Sequence, residues 1–230
     1  METPKPRKLL TIGKVALSDL IPLIQLEEGG IDAYPWLEAQ GIPITDTEKQ
    51  QLEIVQSRLA SDPTHLLNEA TIWARAIYPL LLLAERNSIR AWAQVALAGQ
   101  FSTFEISGIA DGALGRSIAG RLISPYLVVV ETKRGIEGAD PIPQLCIPQL
   151  YTQMLAAAYL NWKSDTQAVQ EIFGCYTIAD SWTFLRGEVS QFEADRPMLK
   201  VEYSREYSEK YDAEIILKIL KQTVDRHLIS

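Results

Sequence analysis

Apolar residues recur at intervals of three and four in some stretches of the chain and crowd into short runs in others. That mixture predicts helices interleaved with strands. Thr45-Asp46-Thr47-Glu48 has the form of a capping box, with Thr45 as N-cap, and Leu52, Val55 and Leu59 follow as one apolar face until Asp62-Pro63 closes the helix. A second helix is predicted from about Thr64 to Glu85, with Leu66, Ala70, Trp73, Ile77, Leu80 and Leu81 as its buried stripe and Pro79 as a kink or break. Glu69 lies one residue from that stripe, either solvated or turned inward. Residues 1–44 read as an irregular N-terminal extension with one amphipathic segment, Val15 to Leu26. Gly29-Gly30, Pro35, Gly41 and Pro43 punctuate the rest of it.

After Asn87 the period changes. Ala91–Leu97 and Phe101–Ala113 favour strands, and a loop with Gly115 and Gly120 leads to Pro125. Tyr126-Leu127-Val128-Val129-Val130 is apolar on both faces, as a central strand covered from both sides must be. A loop with Pro141, Pro143 and Pro148 precedes a helix from Gln149 to about Asn161. Phe173–Thr177 and Trp182–Leu185 read as strands around an Ala179-Asp180-Ser181 turn, followed by a short strand near Leu199–Tyr203. The chain ends in a helix over 212–228, with Ile215, Ile216, Ile219, Leu220 and Val224 facing inward. No Gly-, Ser- or Pro-rich linker divides the chain and no repeat is visible, so one α/β domain over 1–230 is expected, with a mixed central sheet flanked by helices.

Composition narrows the setting. The chain is 47% hydrophobic and 22% charged, enough to bury a core. The longest apolar candidate, Ala76–Ala84, is about half of the ~20 residues a membrane span needs. No signal-type apolar stretch directly follows Met1–Lys8, and Cys146 and Cys175 are too few for a disulfide framework or a four-cysteine zinc site. A reducing cytoplasm and no membrane are expected. The net charge of −7 has the wrong sign for a nucleic-acid binder unless basic residues share one face or cations and a partner help.

The informative segment is Val130-Glu131-Thr132-Lys133-Arg134. Alternation puts Glu131 and Lys133 on one face and Thr132 on the other. Ionised groups directly after a buried run need pairing, a metal or an opening to water. A surface pair where the strand reaches solvent meets that need as well as an active site does, and Glu-x-Lys alone does not separate the two. Asp111, read as the end of the preceding strand, would lie beside Glu131 in an antiparallel pair. Two neighbouring carboxylates call for positive charge between them, and hard oxygen donors suit Mg²⁺ or Mn²⁺. Lys133 would then hold an attacking water or offset charge growing at phosphorus.

A strand ending in Asp, a second carrying Glu-x-Lys and then a helix bearing Gln together resemble the PD-(D/E)XK nuclease superfamily. Within it, the chain looks most like the N-terminal nuclease module of type I restriction enzyme R subunits and related bacterial proteins. The resemblance covers roughly 64–190: the helix with Glu69, "GIADGAL" around Asp111, "LVVVETKR", "PQLYTQMLAAAYL" and "FGCYTIADSWTFLRGEV". It implies a restriction-endonuclease-like core, with Asp111 and Glu131 as metal-binding acids, Lys133 as the catalytic lysine and Glu69 completing or supporting the metal site. Gln149 or Gln153, one helical turn apart, would orient the site or contact DNA. Ala110 stands where many members have proline.

The function expected from the resemblance is divalent-metal-dependent phosphodiester hydrolysis with Mg²⁺ or Mn²⁺, on DNA ahead of RNA. The alternative is the same fold without catalysis, a nucleic-acid or protein binding module of a defence or DNA-processing complex. A second copy or a larger complex is a further candidate partner. Arg116, Arg121 and Arg134 flank the site in sequence, as phosphate contacts or as ordinary surface charge. His65 and His227, the only histidines, belong to no metal-spacing motif, and no Walker loop, G-x-S-x-G elbow or G-x-G-x-x-G turn is present.

Overall fold

A computed structural model of the chain describes residues 7–135 and 142–227, and of 142–145 the backbone alone. Pro141 of the expected loop and the Leu228 end of the last helix lie outside the described residues. Among those described, eight strands form one mixed sheet: β1 (Lys8–Thr11), β2 (Gln25–Ile31), β3 (Ile89–Gln100), β4 (Phe104–Ile118), β5 (Arg121–Lys133), β6 (Val169–Ile178), β7 (Ser181–Ser190) and β8 (Met198–Ser208). Their order is β1-β4-β5-β6-β7-β8-β2, with β3 also paired to β4. The pairs β1–β4, β5–β6 and β2–β8 are parallel and the others antiparallel.

Helices cover both faces. On one lie α2 (Asp46–Ser61), α3 (Glu69–Ile72), α4 (Tyr78–Leu83) and α6 (Glu209–Arg226); on the other lies α5 (Ile142–Asp165), the crossover between parallel β5 and β6. β5 feeds both cores. Val128 and Val130 enter the α2/α6 core, and Val129 enters the α5 core. The α2 cap is as its sequence predicts: Glu48 N–H donates to Thr45 Oγ1 at 3.2 Å and Thr45 N–H donates to Glu48 Oε2 at 2.7 Å.

The 1–44 stretch departs from its irregular reading, because β1, the four-residue helix α1 (Leu17–Leu20) and β2 lie within it. Leu10 is the one residue of β1 that is buried, and β2 is Gln-Leu-Glu-Glu-Gly-Gly-Ile. Both strands are held by backbone bonds to β4 and β8 and not by an apolar face of their own, so periodicity carries no trace of them.

The helix expected over 64–85 starts later. Thr64–Leu66 is a 3₁₀ turn, and the α-helical winding begins at Asn68, whose Oδ1 accepts from Thr71 N–H at 2.8 Å. Leu66, assigned to the buried stripe, is 64% exposed. Pro79 neither ends nor breaks the winding. Residues Trp73–Ile77 open into a π-helical turn just before it, which makes room for a ring that cannot donate to the ladder.

Two further boundaries move for local reasons. Gly115, expected in a loop, lies inside β4, and the hairpin turns instead at Ala119-Gly120, with φ +50° and +73°. Pro125 is accommodated in β5 because the register slips there, from Gly115↔Tyr126 to Arg116↔Ile123. α5 begins at Ile142 and runs through Pro148, seven residues before the expected start at Gln149.

Candidate active site

β4 is 15 residues long and is flanked by β3 over residues 105–116. On its other flank two strands share it end to end. β1 pairs with Phe104–Ser107 and β5 with Gly112–Ile118. Gly108–Asp111 therefore have no strand partner on that flank, and a gap opens in the sheet between the C-terminal ends of β1 and β5. Gly108 sits where the chain emerging from β1 comes closest: a Cβ there would stand 2.6 Å from Ile12 Cβ.

Asp111 lies at the β5 lip of this gap. It is inside β4 and not at its end, contrary to the sequence reading, because the hairpin continues for seven residues beyond it. The last β4–β5 register pair, Gly112↔Val130, brings Asp111 level with Glu131. Its Oδ2 accepts the Thr132 N–H at 2.7 Å, taking the place of a ladder acceptor. Burial raises the Asp111 pKa, partly offset by that N–H and by the Lys133 charge.

Glu131 is 3% exposed. One oxygen meets Lys133 Nζ at 2.6 Å, and the other accepts the side-chain N–H of Gln153, reaching down from α5. Burial and then the Asp111 charge push the Glu131 pKa up to about 7, against the pull of Lys133 and Gln153. Burial works against the Lys133 ammonium, but Glu131, Glu69 and Asp111 outweigh it and raise its pKa. The half-buried Glu69, in the first turn of α3, thus acts on the same lysine as the two strand acids.

The two glutamines divide. Gln153 touches Glu131, whereas the buried Gln149 directs its Nε2 to Gly13 O at 3.4 Å, bracing the turn after β1 at the other lip of the gap. Arg116 and Arg121 do not flank the site. They lie at the far end of the β4–β5 hairpin, five residues or about 17 Å along β4 from Asp111. Arg134 directly follows Lys133 and stays beside it. Periodicity gave no hint of one contributor, the Thr132 peptide N–H, which no side-chain pattern marks, nor of the 63–67 loop that packs beside the end of β5. That loop lies so close to the end of β5 that a Cβ at Gly135 would stand 2.6 Å from His65 Cα.

Among the described residues no three His, Cys, Asp or Glu side chains form a metal-holding group. The donors that do converge are two carboxylates, Asp111 and Glu131, with a third acid, Glu69, in electrostatic reach of Lys133. Two carboxylates completed by water and phosphate oxygens fit Mg²⁺ or Mn²⁺, which keep several waters. Gln153 Oε1 is buried with no hydrogen-bond partner among the described residues, a further oxygen at the same place. No protein-family model matches the chain, and neither does any curated protein.

Proposed function

We propose that the chain is a PD-(D/E)XK-type phosphodiesterase with a restriction-endonuclease-like core, acting on nucleic acid, DNA ahead of RNA, with Mg²⁺ or Mn²⁺. One observation carries the reading: Glu131 contacts both Lys133 and Gln153 at the sheet gap where Asp111 arrives from the adjacent strand. A surface ion pair would need none of this burial and no amide from a covering helix.

Asp111 and Glu131 are the residues that would hold the cation, with Glu69 supporting them. A bound divalent ion supplies a water of lowered pKa and positive charge for phosphate oxygens. Gln153 fixes the carboxylate plane of Glu131. Lys133, already the positive partner of Glu131, is placed to turn from it toward an attacking water or the oxygens of the transition state, where new negative charge is worth most. The gap between β1 and β5, where β4 lacks a partner, is the side from which a phosphodiester would have to reach these groups.

The test is cleavage of plasmid, linear duplex, single-stranded DNA and RNA with Mg²⁺ or Mn²⁺, comparing the wild type with Lys133→Ala. Metal-dependent cutting that disappears in a folded Lys133→Ala protein is expected; equal cutting by that variant refutes the assignment. A second reading, a binding module without catalysis, is favoured by the closed Glu131–Lys133 pair and the net charge of −7. It calls for nucleic-acid or protein binding that is indifferent to chelator. A second copy or a larger complex would then supply the positive surface this chain lacks overall.

A further inference from the structure

The reverse face of β5, opposite Glu131 and Lys133, holds three side-chain oxygens that are buried without a hydrogen-bond partner among the described residues: Thr132 Oγ1, Thr177 Oγ1 and Glu209 Oε1. All three residues are fully enclosed. The two threonines are neighbours by construction, and Glu209 joins their row through Trp182. Thr132 on β5 is the register partner of Thr177 on β6, and Thr177 is the register partner of Trp182 on β7. Trp182 Nε1–H donates to Glu209 Oε2 at 2.7 Å, and Glu209 N–H donates to Asp180 O at 2.8 Å, which seats the start of α6 over this row.

Leaving one such oxygen without a partner costs about 1–3 kcal/mol, and three in one place would be a large defect in a core. Buried waters typically make about three bonds to groups of this kind. We propose that one internal water joins Thr132, Thr177 and Glu209 into a relay behind the acid-bearing strand. Through it Glu209 acts as a positioning residue for the Thr132 peptide, whose N–H holds Asp111.

Glu209 enters this relay as a neutral acid. The charged or titratable groups facing it are Asp180 and the Cys175 thiol, and Lys210 on its own helix spends its ammonium on Thr64 Oγ1 at 3.2 Å. Burial, with Asp180 adding to it and Trp182 opposing, raises its pKa to about 8. The relay shares a strand with the proposed active site and stands whether or not that site cuts.

A high-resolution crystal structure of the wild type and amide exchange at Thr132 test it without an activity assay. Density for a water within hydrogen-bond distance of at least two of the three oxygens is expected. In Thr177→Val, or in Thr177→Ala should the first not fold, exchange at Thr132 is expected to quicken about tenfold or more while Val201 on β8 stays within about twofold. Glu209→Gln, neutral and hydrogen-bonding, should keep the wild-type protection at Thr132. Direct contacts among the three side chains with no water between them overturn the proposal. So does unchanged exchange at Thr132 in a folded Thr177 variant, or loss of its protection in Glu209→Gln.

Discussion

Lys133 Nζ stands 2.6 Å from Glu131 Oε1, so the cation that balances the buried acids belongs to the protein itself. A divalent ion that took Glu131 as a ligand would have to displace this contact and whatever proton Glu131 carries. Because the Glu131 pKa is raised to about 7, the proton competes in the neutral range. Mn²⁺ affinity is therefore expected to rise about tenfold per pH unit up to about pH 7 and to level off above about pH 8. Calorimetric titration in buffers of different ionisation enthalpy checks it, since proton release must accompany binding below pH ~7. Affinity that is flat with pH would remove Glu131 from the ligand set.

Lys133→Ala separates chemistry from folding. The variant leaves Glu131 buried without its counter-ion, but the carboxyl can protonate and keep the Gln153 contact only with some rearrangement, so a stability loss of about 1–3 kcal/mol is expected. Cleavage should fall by about 10²-fold or more, the scale seen when one transition-state donor is removed. Urea denaturation and single-turnover cleavage on the same sample distinguish the two effects. A loss of activity matched by unfolding would leave the catalytic role without support.

These relationships were unevenly legible in the amino-acid order. The Tyr126–Val130 run could only be a strand covered on both faces, and strict alternation then put Glu131 and Lys133 together. Asp111 was visible as a carboxylate near a strand. The continuation of β4 through Leu114–Ile118 was not, because Gly115 looks like a loop residue and is in fact held by β3 and β5 on either side. Arg116 and Arg121 went to the wrong end for the same reason. β1 and β2 were invisible because an edge strand bonded through its backbone needs no apolar pattern. Gln149 and Gln153 share a helix face, and only the position of α5 over the gap decides which one meets Glu131.

A second buried charge cluster is independent of the site and predicts acid sensitivity. Glu48 accepts from Lys221 Nζ at 3.0 Å through both oxygens and from Arg86 at 3.0 Å, joining α2, α6 and the approach to β3. Burial resists ionisation of Glu48, but the Thr45 N–H, Lys221 and Arg86 outweigh it and hold the pKa at about 2. The folded pKa is below the unfolded value, so this stability is present above about pH 4.5 and is lost as pH falls toward about 2. Glu48→Gln should cost about 3–5 kcal/mol at neutral pH, because Lys221 is left buried without its anion. Lys221→Met combined with Glu48→Leu should recover most of that loss. Chemical denaturation at neutral and acid pH provides both comparisons, and a Glu48→Gln protein as stable as the wild type would show that the cluster contributes little.

Glu209 predicts the opposite pH dependence. Its folded pKa, raised to about 8, lies above the ordinary carboxyl value of 4.5, so its contribution is complete below about pH 4.5 and is lost as pH climbs through about 8. Glu131, with its pKa also raised, adds a loss of the same sign in the metal-free protein. Glu209→Gln removes one of the two and keeps a neutral group beside Trp182. The variant is therefore expected to lose less stability than the wild type between about pH 5 and 9, with the gap between them reaching a few kcal/mol at the alkaline end. Denaturation midpoints measured across that range decide the point. Parallel curves would mean that Glu209 is ionised in the folded protein throughout, with a counter-charge reaching it that neither Trp182 nor Lys210 provides.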